Sequence, residues 1–205
     1  MNSSAALHHL SFPQTHYLPD GTVVAIRPMN VADRDLLPAF FEAIPPQDRL
    51  ALQENVLAPG AVDRWVADME AGRAQPILAF HGERIVGEAT LLRRLHGWTR
   101  HVGYMRCIVH PAYRRKGLGT HLIKLLIDVA AQIGLDKVVV EVLVGQRRER
   151  KILEKLGFRK EAILKDHATD MRGDKHGVVL LSNSVIELWR KMEDMILDAE
   201  FEVIP

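Results

Sequence analysis

Cys107-Ile108-Val109-His110-Pro111-Ala112-Tyr113-Arg114-Arg115-Lys116-Gly117-Leu118-Gly119-Thr120 is the stretch that decides the fold. It begins with a short β-branched run that ends at Val109, and Pro111 stops that run. A basic, glycine-spaced turn follows. An amphipathic helix starts at once, because from Leu118 apolar residues recur at Leu122, Leu125, Leu126, Val129 and Ile133, and Gly134 ends the pattern. The order is strand, loop, helix. The first amides of a helix have no intrahelical acceptor, so this junction is a ready site for a diphosphate. Gly117 and Gly119 remove Cβ atoms where a ligand must approach the backbone. Arg114, Arg115 and Lys116 add positive charge at the same end.

The spacing narrows the choice. No Lys-Ser/Thr pair follows Gly119, which excludes a Walker loop, and Leu122 stands where a dinucleotide fold needs its third glycine. What remains is R-x-x-G-x-G, Arg114 to Gly119, after a strand closed by proline. This resembles the pyrophosphate loop of the GNAT superfamily, the acyl-CoA-dependent N-acyltransferases. A second anchor lies about 40 residues downstream, where a short helix from Arg147 to Leu156 ends at Gly157-Phe158. The family closes its corresponding helix with such a pair. The opening at Asp20–Asp33, D-G-T-V-V-A-I-R-P-M-N-V-A-D, is also similar to the start of such domains. The resemblance spans roughly residues 20–182.

It implies an α/β (α+β) fold with a mixed, mostly antiparallel central sheet flanked by helices, and an extra C-terminal helix. The patterning agrees in order. Val23 to Ile26 reads as a strand closed by Arg27-Pro28. Asn30 or Asp33 caps a helix carrying Leu36, Leu37, Phe40 and Phe41, which Pro38 should kink or divide. A further helical piece follows Pro46 and ends before Pro59. Ala61 to about Ala71 is a helix with Val62, Trp65, Val66 and Met69 on one face. Pro76–Phe80 and Arg84–Leu92 form a hairpin around His81-Gly82, His101 to Val109 leads into the loop, and Val138 to Val144 is the next strand. A terminal hairpin closes the core. Three regions follow: a poorly patterned tail over 1–18, a domain over 19–183, and a helix within 184–205. That helix carries Val185, Leu188, Trp189, Met192, Met195 and Ile196, and it packs on the domain or at a homodimer contact.

The resemblance also assigns chemistry. Cys107, Ile108 and Val109 would bind the pantetheine arm of acetyl-CoA like an added strand, with one N–H polarising the thioester carbonyl. Arg115, Lys116, Gly117, Leu118, Gly119 and Thr120 would face the diphosphate, with Arg114 beside them. An asparagine common after the fifth core strand is replaced by Gln146, whose carboxamide can make the same bonds. A tyrosine common four residues before the Gly-Phe pair is replaced by Leu153, which cannot donate a proton. The acceptor amine must lose a proton, and the candidates for that chemistry are Glu88, Glu141 and Tyr104. Cys107 sits where a small apolar strand residue is expected, so it is not read as a nucleophile.

Composition sets the outer bounds. The chain has 205 residues, 47% of them hydrophobic, a formal net charge of +1 and one cysteine. These values suit one substantial cytoplasmic domain without a disulfide, and they call for neither nucleic acid nor membrane as partner. Asp166 to His176 is rich in Asp and His, but its spacing fits neither an EF-hand nor a zinc motif, so no metal is expected. It reads as a polar hairpin loop, and the resemblance implies that it borders the acceptor pocket. Three functions stay open: acetylation of a small amine, acetylation of a protein lysine or N-terminus, and acyl-CoA binding with little catalysis. The small amine is the leading expectation.

Overall fold

The structure, a computed structural model, describes residues 10–170 and 172–201, apart from the side chains of 51, 193 and 195–201. Eight strands form one sheet: β1 (Gln14–Tyr17), β2 (Val23–Pro28), β3 (Ala74–His81), β4 (Arg84–Arg93), β5 (Val102–Val109), β6 (Lys137–Leu143), β7 (Arg159–Thr169) and β8 (Lys175–Ser184). Their spatial order is β1-β2-β3-β4-β5-β6-β8-β7. Every neighbouring pair is antiparallel except β5 and β6, which run parallel. That one parallel pair needs a crossover, and α4 (Leu118–Gln132) supplies it. The expected mixed, mostly antiparallel sheet with flanking helices is therefore the observed one.

Alternation along the strands sends side chains to two different layers. On one face, Ala89, Leu91, Met105, Val138, Val140 and Val142 meet Leu118, Leu122 and Leu126 of α4, with Leu153 and Leu156 of α5 (Arg147–Leu156). Val185, Leu188, Trp189 and Met192 of α6 (Val185–Phe201) join the same cluster, so the described part of the C-terminal helix packs on its own domain. Met195 and Ile196 lie outside the described side chains. On the other face, Leu78, Phe80 and Ile108 pack under Leu37, Phe40 and Phe41 of α1 (Leu37–Glu42) and Trp65 and Val66 of α3 (Ala61–Glu70). Each such buried side chain contributes roughly 1.5–3 kcal/mol of apolar burial.

Two details depart from the patterning. Residues 14–17, expected in the tail, form an edge strand against β2. Four residues are too few for periodicity to register, and the sheet edge supplies the ordering; residues 1–9 lie outside the described ones. As expected, the helical pattern after Asn30 is divided at Pro38: a 3-10 helix over Val31–Leu36 gives way to α1, and Pro38 falls in the first turn of α1, where its missing N–H is not needed. The helical piece after Pro46 is short: α2 (Pro46–Arg49) runs into a 3-10 turn over Leu50–Leu52 and stops at Gln53, whose φ of 62° is left-handed. No described helix is long and apolar enough to cross a membrane.

Candidate active site

The site grows from the parallel pair. β5 and β6 are in register only from Val102↔Lys137 to Met105↔Val140. Beyond that point Arg106–Val109 pair only with β4, while Glu141–Leu143 pair only with β8. The two strands splay and leave a gap. The N–H of His110 donates to the carbonyl of Val86 at 2.9 Å. Bonded pairs alternate along an antiparallel ladder, so Ile108 opposite Glu88 spends its backbone groups on β4, as Arg106 does opposite Thr90. Cys107 and Val109 turn theirs to the gap. Of the three residues expected to meet a pantetheine arm, Ile108 is thus corrected: its amide is used in the sheet and its side chain in the core.

The loop behind the gap is built for an anion. Arg115 and Gly117 are both left-handed, with φ of 61° and 85°. The first intrahelical bond of α4 runs from His121 N–H to the Gly117 carbonyl at 3.0 Å, so the amides of Leu118, Gly119 and Thr120 precede it and have no helical acceptor. No acidic side chain occupies the first turn. A Cβ built on Gly119 would touch only Val109 Cγ2, at 3.5 Å, so the fold itself leaves room there. Two of the three basic side chains are already engaged. Arg114 Nε donates to the Val109 carbonyl at 2.8 Å and its Nη1 meets Asp48 Oδ2 at 2.6 Å. Arg114 therefore braces the loop. Lys116 Nζ pairs with Asp20 Oδ2 at 2.7 Å.

On the opposite side of the sheet a cleft of about 820 Å³ lies between the segment after α2 and the β7–β8 hairpin. Glu141, Leu143 and Gln146 lie along it, with Gln53 and Glu54 on one wall and Asp170 and His176 on the other. Glu141 Oε2 accepts from Gln53 Nε2 at 3.1 Å. Gln146 Oε1 accepts from the Leu143 N–H at 2.9 Å. Asp170 Oδ1 takes the N–H groups of Arg172 (2.8 Å) and Asp174 (3.0 Å), and its Oδ2 meets His176 Nε2 at 3.0 Å. The Asp-rich segment is thus a hairpin loop folded around one carboxylate. The His176 contact is the leading cause holding that carboxyl below the usual range.

The structure separates the three base candidates. Glu141 lines the cleft. Tyr104 is 40% exposed but borders neither of the described cavities. Glu88 is 0% exposed and does not line the cleft: alternation with Ala89 and Leu91 puts it on the sheet face of Arg106, where it is covered. Burial raises its pKa, opposed by Arg106 and by the hydrogen bond from Thr90 Oγ1, and its Oε2 has no partner. Leu153 is 6% exposed within the apolar cluster, so the position of the missing tyrosine faces the core. Burial pushes the Cys107 thiol well up, which keeps it from acting as a thiolate.

One group escaped the sequence reading. Trp65 Nε1 donates to Glu54 Oε1, and Arg106 Nη1 meets the same oxygen at 3.0 Å. Arg106 also donates to the Leu52 carbonyl at 3.2 Å and lies 3.9 Å over the Trp65 ring. Trp65 read as one more member of an apolar stripe, and Glu54 belonged to no motif. Their proximity to Arg106 comes from the tertiary fold alone.

The comparisons agree with this geometry. The model of the acetyltransferase (GNAT) family matches residues 35–158. N-alpha-acetyltransferase 30 of Xenopus laevis is 37% identical over 82 residues, which are 40% of this chain and 30% of that protein. The chain therefore matches well under half of that relative's length. The GNAT domain of S. lividans PAT superposes with a TM-score of 0.70 at 19% identity, covering 84% of this chain and 96% of that one. YncA of Salmonella typhimurium, solved with its cofactor acetyl-CoA, gives 0.65 at 20% identity, covering 79% and 94%. With the family model matched across the diphosphate loop, the splayed strands and the Gly157-Phe158 turn, the chain belongs to the GNAT family of acyl-CoA-dependent acetyltransferases.

Proposed function

We propose that this protein transfers an acetyl group from acetyl-CoA to the α-amine at the N-terminus of a protein or peptide. The observation that carries the reading is the β5–β6 gap, with the anion-binding loop following β5 and Glu141, the first residue of β6 past the last paired rung, on the cleft. The amides of Leu118, Gly119 and Thr120 hold the diphosphate, with Arg115, Lys116 and Gly117 shaping the turn. The N–H and carbonyl of Cys107 and the N–H of Val109 lie along the pantetheine arm as a missing strand would. One of these N–H groups polarises the thioester carbonyl, where negative charge grows as the amine attacks. The Gln146 carboxamide borders the same gap. Glu141 takes the proton from the incoming ammonium, directly or through one water. With Leu153 in place of an acid, water protonates the departing thiolate.

Similarity to an N-alpha-acetyltransferase supports a protein N-terminus over the small amine that the sequence favoured. The open cleft, walled by separate segments, suits an extended chain. The test is thiol release from acetyl-CoA with three acceptor sets: peptides with free N-termini, N-terminally blocked peptides carrying lysine, and small amines. Turnover confined to the first set is expected. Turnover only with blocked lysine peptides or small amines overturns the acceptor, and acetyl-CoA binding without turnover overturns the catalytic reading. Glu141→Gln should lower kcat on the order of 10²-fold.

A further inference from the structure

We infer that Glu54 is the carboxylate that receives the acceptor's ammonium group, held in place for that task by Trp65 and Arg106. The inference rests on the proposal that the cleft acetylates a cationic amine. Gln53 and Glu54 sit where the chain leaves the 3-10 turn, and the left-handed Gln53 sends the two side chains to different partners. Gln53 reaches Glu141 on β6, and Glu54 reaches Arg106 on β5. Arg106 and Glu141 are the first residues on their strands past the last paired rung, Met105↔Val140. Glu54 therefore stands at the vertex of the splay, where an amine must arrive to meet the thioester.

The bonding of Glu54 is one-sided. Trp65 Nε1 and Arg106 Nη1 both fall on Oε1, and Oε2 carries no hydrogen bond among the described residues. The side chain remains 31% exposed and lines the cleft. One oxygen is pinned from behind and the other is left to a ligand. The charges at the vertex point to the kind of ligand. At the vertex itself Glu54 and Glu141 set two carboxylates against the guanidinium of Arg106, while the other guanidinium groups of the cleft, Arg49 and Arg172, lie on its walls, so the vertex favours a cation. Glu88 sits on the far side of Arg106, sealed from the cleft. Arg49, on the cleft wall, spends its Nη1 on the carbonyls of Phe41 and Ile44. Two roles then divide between two carboxylates: Glu54 binds the ammonium, and Glu141 removes its proton.

The experiment uses the full chain, acetyl-CoA and an octapeptide library randomised at its first two residues, with the N-formylated library as a neutral competitor. Wild type, Glu54→Gln and Trp65→Phe are compared by thiol release, by inhibition with the formylated library, and by calorimetric titration with acetyl-CoA. Trp65→Phe keeps the ring under Arg106 and removes only the N–H, so it tests positioning if Glu54→Gln fails to fold. The expected result is a rise in acceptor KM of at least about tenfold in Glu54→Gln. Trp65→Phe should give a smaller rise in the same sense. Within this result kcat stays within about threefold, acetyl-CoA affinity is unchanged, and inhibition by the formylated library is retained. An unchanged acceptor KM in an active, folded variant overturns the inference, and so does a fall in kcat alone, which would make Glu54 the base. A wild type that binds acetyl-CoA but turns over no library member overturns the acetyl-transfer reading, and this inference with it.

Discussion

The two faces of the sheet are built from different materials. The buried side chains on the face under α4, α5 and α6 are apolar. The buried polar residues among those described are Asp33, Glu88, Thr90, Arg106 and Ser182, and none belongs to that cluster. They lie on the face that carries the cleft. Burying a polar group costs stability unless it is fully bonded, and a purely apolar layer avoids that cost. The comparison teaches a division of labour. The α4 face holds the fold and presents backbone amides to the coenzyme, whereas the cleft face spends stability on groups that can handle charge.

The largest expected effect is on the coenzyme side, and it should leave the fold alone. Gly119 is helical, and a Cβ there would meet only Val109 Cγ2, at the ordinary contact distance of 3.5 Å. Gly119→Glu should therefore fold normally while placing a carboxylate on two methylene carbons among the diphosphate amides. Acetyl-CoA affinity should fall on the order of 10³-fold, about 4 kcal/mol, with the melting temperature close to wild type. Retained binding in calorimetry would break the assignment of the loop. Next in size is Leu126→Ala. Leu126 is fully buried in the apolar layer, so the change should cost about 3 kcal/mol in urea unfolding. Because the loss is one of apolar packing and not of charge, it should be nearly the same at pH 5 and pH 8.

These two sites were legible because their signals are local. Strand, proline, basic turn, glycines and helix face all fall within Cys107–Ile133, and capping physics acts over a few residues. The Gly157-Phe158 turn was legible for the same reason. The acceptor side was not. Glu54 and Trp65 are 11 residues apart, and Arg106 is 52 residues from Glu54. No periodicity links such positions. Glu88 and Glu141 are both strand glutamates on the same sheet face, and alternation alone does not say that the first is covered there while the second lines the cleft. The backbone direction of Ile108 likewise depended on which rungs of the β4–β5 ladder carry bonds, a phase fixed by tertiary contacts such as His110 to Val86.

On the cleft face the expected losses depend on pH, which sharpens the contrast with Leu126. Arg27 grips Asp33 with Nη1 at 2.7 Å and Nη2 at 2.6 Å, and the Asn30 N–H adds a third bond at 2.8 Å. The guanidinium is the leading cause holding the Asp33 carboxyl below its ordinary value. A depressed carboxylate stabilises the fold above its unfolded pKa of about 3.9, and loses that contribution as pH falls through the folded value. Asp33→Asn should cost about 2 kcal/mol at pH 7. Its deficit against wild type should shrink as denaturation curves are taken from pH 5 toward pH 3. A deficit that is flat with pH would mean the loss is one of shape and not of charge.

The smallest effect should have the opposite sign, and it decides how charge is distributed behind the cleft. Glu88 is fully buried, and burial raises its pKa against the pull of Arg106. Above the unfolded carboxyl value of about 4.3, the unfolded chain has released this proton while the folded chain keeps it, up to the raised folded value. The unfolded state then binds fewer protons, so the contribution of Glu88 to stability falls as pH rises through that window. Glu88→Gln removes the titration and keeps an oxygen for Thr90, so it should gain about 1 kcal/mol over wild type at pH 8 and little at pH 4. Urea unfolding at both values reads the difference. If the variant instead loses more stability at pH 8 than at pH 4, Glu88 is ionised and shares Arg106 with Glu54. In that case the vertex already holds a third carboxylate charge, and an arriving ammonium would be drawn to the pair as a whole. A gain at pH 8 leaves Arg106 committed to Glu54, with one carboxylate oxygen open to the cleft and Glu141 free to take the proton.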